Sequence, residues 1–245
     1  MKKFILPLFT AFLFVYLPNN IFAADFSVSV GGGGILGYTF TRYTLKGENV
    51  NSTQSMDRFD YAGVLFFDAT YAEFSVMIQG GKNSYKENMI YSASSLADTK
   101  GTGSETSLGF SLLGKYPFTI NKTFTWFPML GVEYQIALTQ RRHPSGDYVY
   151  DRTKGKLPED RDKDDKPYSI SAWNSFWIDI GAGFDYNITS KFFLRSELLF
   201  GFRLPTSYEL SALEVVKNPP MNAKNPALAG LTGSPTLKLG VGYHF

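Results

Sequence analysis

In several segments of this 245-residue chain, ionisable residues occur only at positions that alternate with a run of apolar residues. In the segment 192–204, Arg195, Glu197 and Arg203 alternate with phenylalanines and leucines. Because successive side chains of a β-strand point to opposite faces, one face of such a strand is charged and the other is apolar. The charged faces carry Glu73, Lys115, Glu133, Asp179, Asp185, Arg195, Glu197, Arg203 and Lys238. Acids and bases in near balance predict an ion-pair and hydrogen-bond network in an enclosed interior; a lining that conducts a substrate is the alternative.

Other residues that could do chemistry are few. His143 lies beside Arg141 and Arg142, and His244 precedes the last residue, so the two histidines are expected at opposite ends of the molecule. No nucleophile, base and orienting group converge, and the sequence therefore predicts no enzyme. With no cysteine, disulfides and cysteine-ligated metals are excluded, and no cofactor or metal is predicted.

The elements that carry these residues are strands. Seven segments alternate clearly, and none has an ionisable residue on its apolar face: 26–36, 72–79, 107–116, 124–139, 175–186, 192–204 and 236–245. An eighth segment, 61–69, is apolar in both registers. We prefer the register with Tyr61, Gly63, Leu65 and Phe67 on the apolar face, because it keeps Asp68 off that face.

A strictly apolar face is typical of strands in contact with lipid, where an Arg or Lys at the midplane costs about 2–4 kcal/mol. Aromatic residues gather near the strand ends, as expected for girdles at the two membrane interfaces. Short connections near 68–71, 117–123 and 187–191 alternate with longer ones near 41–59, 81–105, 140–173 and 205–235. The sequence thus predicts an all-β fold, an eight-stranded antiparallel transmembrane β-barrel. Ten strands are the alternative if a long connection contains a further hairpin, and a soluble lipocalin-like barrel is another.

The first residues have the pattern of a secretory signal peptide. A basic start, an apolar run from Phe4 to Leu17 and a small-residue site at Ala23 predict that residues 1–23 are removed and residues 24–245 form the barrel. Cleavage removes Lys2 and Lys3 from a chain with 24 Lys and Arg and 22 Asp and Glu, so the mature chain has no net charge. The absence of net charge gives no reason to expect nucleic-acid binding. The signal peptide and the barrel strands together predict the bacterial outer membrane as the location.

Two of the long connections differ in character. The segment 140–168 is dense in charges of both signs, which favours either a solvated loop or a contact surface for host molecules or lipopolysaccharide headgroups. Its aspartates at 160, 162, 164 and 165 lack the central Gly and closing Glu of a calcium loop. The segment 205–235 is apolar, and Leu210, Leu213, Val215 and Val216 either cap the barrel or line an entrance for an apolar ligand.

Two stretches resemble a known group. Gly181-Ala182-Gly183-Phe184-Asp185-Tyr186, followed by Leu194-Arg195-Ser196-Glu197, is similar to the Gly-x-Gly-x-Asp-Tyr hairpin and Leu-Arg-x-Glu strand of OmpA-like, OmpW-like and opacity-protein barrels. The terminal residues Leu239, Val241, Tyr243 and Phe245 resemble the signal that the barrel assembly machinery recognises.

This resemblance implies a monomer in outer-membrane lipid, with periplasmic chaperones and the assembly machinery as partners. It also implies limited passage or binding of small apolar molecules. The alternative function is that of an opacity-like adhesin that binds a host surface ligand through its long loops.

Overall fold

Eight long strands form a closed antiparallel ring. The computed structural model describes residues 27–47, 50–91, 94–95, 99–143, 150–151, 173–206 and 227–245. The strands are β1 (Val28–Gly47), β2 (Val50–Ala69), β3 (Ala72–Tyr91), β4 (Thr99–Lys115), β5 (Phe124–His143), β6 (Ser175–Asn187), β7 (Phe192–Arg203) and β8 (Ala227–His244). Each strand pairs with its neighbours in the sequence, and β1 pairs with β8 to close the ring. Two-residue strands at Ser94–Ser95, Phe118–Thr119 and Tyr150–Asp151 pair with the long ones. The predicted eight-stranded antiparallel barrel is confirmed.

One end of the barrel has the short turns and both strand termini. The N–H of Thr70, between β2 and β3, donates to the Ser27 carbonyl at 3.1 Å, and the His244 N–H donates to the Lys191 carbonyl at 2.8 Å. These contacts bring the β2–β3 and β6–β7 turns beside the first and last described residues. The three short connections lie where the sequence predicts them.

At the other end the strands are longer than the sequence analysis expects. The predicted connections at 41–59 and 81–105 are wrong over most of their length, because β1 continues to Gly47, β2 begins at Val50 and β3 continues to Tyr91. Likewise β8 begins at Ala227, inside the predicted connection 205–235. Beyond the membrane neither face needs to be apolar, so a strand can continue on its hydrogen-bond ladder without the alternation that reveals it.

The outer face of the barrel is apolar. Leu65, Ile78 and Leu198 are 69%, 64% and 64% exposed, whereas Asp68, three residues beyond Leu65, is 3% exposed. The preferred register of β2 is therefore confirmed. An unbroken exposed band of this kind is unfavourable in water and is the arrangement expected of a barrel surrounded by lipid.

Aromatic rings flank this band. Near the short turns, Tyr71, Tyr116, Phe118 and Trp126 form a chain of contacts with ring centroids 4.9–6.0 Å apart. Towards the other end, exposed rings on the same outer face are Tyr38, Phe59, Tyr61, Tyr134, Phe176 and Phe202. Two such girdles are typical of barrels that span an outer membrane.

Within the described ranges, no helix has the length and apolar character needed to cross a membrane. Residues 1–26, which include the predicted signal peptide, lie outside the described residues.

The substitution Leu65→Arg tests whether the outer face contacts lipid. If it does, the change should lower the free energy of folding into phospholipid vesicles by about 2–4 kcal/mol, measured by urea titration. The control is Ser84→Arg, which places the same group on the exposed outer face of β3 beyond the girdle. The control should change stability by less than about 0.5 kcal/mol. Equal small effects of both substitutions would show that this face is in water.

Candidate functional site

Arg195 is the centre of a buried ion-pair cluster in the half of the lumen nearer the short turns. The guanidinium binds Asp185 through two hydrogen bonds, from Nε at 2.7 Å and from Nη2 at 2.6 Å. Its Nη1 lies 2.6 Å from Glu73 Oε2 and 2.5 Å from Asp68 Oδ2. The Arg195 side chain is 1% exposed. It thus links β7 to β6 beside it and to β2 and β3 across the lumen.

Two lysines complete the cluster. Lys238 forms ion pairs with Glu73 and with Glu197 Oε2, the latter at 3.0 Å, and lies 3.3 Å from Ser75 Oγ. Lys115 is paired with Asp68. Burying this many charges is tolerated only when they are paired, because an isolated charge in a low-dielectric interior costs several kcal/mol. We call this set the lower cluster; its members are Asp68, Glu73, Lys115, Asp185, Arg195, Glu197 and Lys238.

Three phenylalanine rings enclose the Arg195 guanidinium. Its central carbon lies 4.9 Å from the centroid of Phe66, 5.2 Å from Phe127 and 5.0 Å from Phe193. These rings are 1%, 0% and 0% exposed, so they exclude water from the ion pairs and add cation–π attraction.

Each ring lies over the glycine directly opposite it on the neighbouring strand. A Cβ on Gly31 would lie 2.2 Å from Phe66, one on Gly183 2.3 Å from Phe127, and one on Gly242 2.1 Å from Phe193. A side chain at any of these glycines would displace the ring. The glycines of the β6 and β8 motifs are therefore required for packing.

A second cluster lies further from the short turns. Arg58 Nε is 2.6 Å from Asp60 Oδ1, and Arg58 also pairs with Glu105. Thr39 Oγ1 donates to Asp60 Oδ2 at 2.6 Å, and Gln140 Nε2 donates to Glu105 Oε2 at 2.7 Å. We call Arg58, Asp60 and Glu105 the upper cluster. It joins β1, β2, β4 and β5 across the barrel.

The sequence analysis missed the upper cluster, because Arg58 and Glu105 fall in segments assigned to loops. A signal was present: Arg58, Asp60, Val64, Phe66 and Asp68 are all even-numbered residues of one strand and share its inner face. The preferred register of β2 also turns Asp68 inward, and the structure adds it to the charge network, because it pairs with both Lys115 and Arg195.

A narrow space of about 50 Å³ separates the two clusters. Its lining includes Glu133 and Asp179, which the sequence predicted as members of the charge network. Glu133 accepts a hydrogen bond of 2.5 Å from Gln135 Nε2. Neither carboxylate forms an ion pair with a described residue, so both stand apart from the lower cluster.

The remaining predicted residues are distributed as follows. Arg203 donates to Thr232 Oγ1 at 3.2 Å and lies 6.0 Å from the ring of Trp177, on the inner side. Leu239, Val241 and Phe245 are 51%, 50% and 80% exposed on the outer face, and the Tyr243 ring contacts Phe192 and Phe245.

The proposed ligand entrance, Leu210, Leu213, Val215 and Val216, lies outside the described residues, as does most of the charged segment 140–168. His244 stacks on Phe193 with centroids 4.5 Å apart, and the side chain of His143 is not among those described.

The class of protein follows from these features. A closed ring of eight strands, an apolar outer band between aromatic girdles and a charged interior define a small outer-membrane β-barrel. No protein-family model matches the sequence, and no curated protein matches it.

The solved structures that match this chain in a structural comparison have low sequence identity to it. The outer membrane protein OprG of Pseudomonas aeruginosa is 13% identical with a TM-score of 0.41, covering 89% of this chain and 95% of that one. The N-terminal barrel domain of OprF from the same organism is 13% identical with a TM-score of 0.36, covering 88% and 99%. Ail of Yersinia pestis, solved with the heparin analogue sucrose octasulfate, is 11% identical with a TM-score of 0.30, covering 89% and 99%.

Removing the central cation tests the lower cluster. Arg195→Met leaves three buried carboxylates without their shared partner and should destabilise the barrel by about 3–5 kcal/mol in urea unfolding from lipid. Arg195→Lys should recover part of this loss, because lysine keeps the charge but cannot bind Asp185 through two parallel bonds. The control is Arg42→Met on the outer surface, where the side chain is 52% exposed. If Arg195→Met is no more destabilising than the control, the cluster does not stabilise the fold.

Proposed function

We propose that this outer-membrane barrel is a surface-binding protein with a closed lumen, and that its projecting strands bind polysaccharides that carry phosphate or sulfate groups. The observation that supports this most directly is a row of basic side chains on the outer face of β1, β3 and β4, beyond the aromatic girdle.

The first three strands are longer than a membrane requires. Strands β1, β2 and β3 have 20 residues each. A tilted strand crosses the hydrocarbon in about 9–11 residues. The remaining residues extend beyond the girdle as a paired sheet and not as a set of separate loops.

The row is defined by the strand register. Arg42 lies opposite Ser55, Ser55 opposite Lys86, and Lys86 opposite Lys100. The two lysines are therefore direct cross-strand neighbours on strands about 4.8 Å apart. Like charges in this position are destabilising unless an anion lies between them. The lysine pair is thus the strongest indication of an anionic ligand.

Further outward-facing bases extend the positive surface. Lys46 and Lys82 are exposed on β1 and β3. Among the outward-facing residues of these hairpins whose side chains are described, Asp57 is the one carboxylate, and it pairs with Arg42 at 2.7 Å. The outer face of the projecting sheet is consequently positive, although the whole mature chain is balanced.

The height of the row above the membrane is consistent with a polysaccharide or headgroup ligand. Arg42 is four residues beyond Tyr38 of the girdle, about 14 Å along the strand. Phosphates of lipopolysaccharide in the same membrane and sulfated polysaccharides of another cell both carry the anionic groups that Lys and Arg bind.

Passage of small apolar molecules, the other function that the sequence predicts, stays a prediction. The lower cluster crosses the lumen, which argues against an open path along the barrel axis. The space above the cluster has a volume of only about 50 Å³, which argues against a bound solute there. The residues predicted to admit an apolar ligand are outside the described ranges.

The double substitution Lys86→Gln, Lys100→Gln tests the surface. The purified double variant should elute from immobilised heparin at lower salt than the unsubstituted protein, because it has two fewer positive charges to attract the sulfate groups. Salt screens this attraction between exposed charges, so weaker binding is reversed at a lower salt concentration. It should also bind fluorescent lipopolysaccharide more weakly if that is the ligand. The matched control, Lys122→Gln, Lys191→Gln, removes two exposed lysines at the opposite end of the barrel.

The two ligand sources give different results. Loss of heparin binding alone indicates a polysaccharide outside the cell, and loss of lipopolysaccharide binding alone indicates a ligand in the same membrane. Equal binding of the double variant, the control and the unsubstituted protein to both ligands would refute the proposal.

A further inference from the structure

Two of the short turns have the same backbone structure. One joins β4 to β5 and ends at Phe124, and the other joins β6 to β7 and ends at Phe192. In the first, the Ile120 N–H donates to the Phe124 carbonyl at 3.0 Å, and in the second the Ile188 N–H donates to the Phe192 carbonyl at 2.9 Å. Each turn therefore places an isoleucine directly opposite a phenylalanine at the end of the barrel.

A side-chain oxygen fixes the second position of each turn. Asn121 Oδ1 accepts the N–H groups two and three residues further on, at 2.8 and 2.9 Å. Thr189 Oγ1 accepts the corresponding two N–H groups at 3.2 and 3.0 Å. The Asn187 N–H donates to the Thr123 carbonyl at 2.8 Å, so the two turns lie side by side.

The isoleucines continue the lipid-facing side of the barrel beyond the aromatic girdle. The phenylalanine opposite each isoleucine contacts an outward-facing ring, Phe184 at 5.5 Å in the first turn and Tyr243 at 5.2 Å in the second. Because directly opposed residues of a hairpin point to the same face, the isoleucines face outward too. Ile120 and Ile188 are 61% and 54% exposed. This apolar surface is continuous with the band that contacts lipid, which indicates that the turns lie at the membrane interface.

Each turn also carries one exposed lysine, Lys122 in the first and Lys191 in the second. The Lys191 Nζ lies 5.8 Å from the centroid of the outward-facing ring of Tyr243, so its ammonium is beside the lipid-facing wall. Neither lysine forms an ion pair with a described residue. The turns at 69–71, 116–123 and 187–191 contain no acidic residue. These turns thus present unpaired positive charge next to apolar side chains.

We propose that the two turns bind anionic phospholipids of the leaflet on this side of the membrane. The isoleucines would lie at the acyl boundary, and the lysines would contact the headgroup phosphates. Apolar side chains at the interface together with adjacent cations are the combination that binds anionic lipid surfaces. Lysine suits this position, because its stem lies along apolar surface while its ammonium stays in the polar layer. The site is at the opposite end of the barrel from the proposed polysaccharide surface and does not depend on it.

Quenching of Trp126 measures the lipid preference. Phe118 stacks on Trp126 with ring centroids 5.0 Å apart, so this tryptophan lies beside the first turn. Trp177 is buried in the lumen, and Trp173 precedes β6 at the other end of the barrel. The refolded protein is placed in phosphatidylcholine vesicles that contain the same small fraction of either phosphatidylglycerol or phosphatidylcholine brominated near the headgroup. Brominated phosphatidylglycerol should quench more strongly, with a preference of about fivefold for each lysine that contacts it.

Substitution of the lysines tests their role. Lys122→Gln, Lys191→Gln should be quenched equally by the two brominated lipids, whereas the matched control Lys122→Arg, Lys191→Arg keeps both charges and should keep the preference. The Gln variant should bind heparin as the unsubstituted protein does, so the two proposals can fail independently. Equal quenching of the unsubstituted protein by both lipids, or an undiminished preference in the Gln variant, would overturn the proposal.

A single label tests the position of the isoleucines. The chain contains no cysteine, so Ile188→Cys can carry one nitroxide label. In vesicles this label should be more accessible to oxygen and less accessible to a water-soluble nickel complex than a label at Ser84→Cys, which lies on the outer face of β3 beyond the other girdle. Equal accessibility of the two labels to the nickel complex would place the turns in water and would also contradict the proposal.

Discussion

The buried guanidinium of Arg195 is the contact on which the rest of the lumen depends. It binds carboxylates from β2, β3 and β6 at 2.5–2.7 Å and is enclosed by the rings of three phenylalanines. Each ring needs a glycine at the paired position of the neighbouring strand, and the two lysines that balance the remaining carboxylates need those carboxylates to be held in place. Because the cation, the rings and the glycines come from different strands, the barrel can close only in the register that brings them together. In our proposal the same cluster also closes the lumen to solutes.

The membrane reverses the usual relation between burial and polarity. The outer face can be apolar because lipid surrounds it, and the interior can be charged because the ions find partners across a narrow lumen. Beyond the membrane this constraint ends. There the strands continue as a paired sheet whose outer face carries Arg42, Lys86 and Lys100, the residues through which we propose that an external ligand binds. In the proposed function, the interior of the barrel is structural and its exterior binds the ligand.

The sequence predicts the lipid-facing part of the fold well, because the penalty for charge in hydrocarbon imposes a strict alternation. It therefore gives the eight strands, the register of β2 and the inward direction of residues such as Glu73, Asp185 and Arg195. It fails beyond the girdle, where both faces are polar and hydrogen bonding alone continues β1, β2 and β3. Arg58 and Glu105 were missed for that reason. The inner rings Phe66, Phe127 and Phe193 were also missed, because an apolar residue on a charged face has no periodic signal. The sequence also does not show that Glu133 and Asp179 stand apart from the lower cluster. This depends on distances between side chains of different strands, which the spacing of residues along the chain does not give.

The central claim is that the lumen of this outer-membrane barrel is closed by the lower cluster. The most direct test is the current through planar lipid bilayers that contain the purified, folded protein at neutral pH. Our account predicts a baseline without conductance steps, since the ion pairs Arg195–Asp68, Lys115–Asp68 and Lys238–Glu73 join strands that are not neighbours in the ring. Regular steps of stable open-channel current would contradict it, because they would require a continuous water-filled path through the position that this cluster occupies.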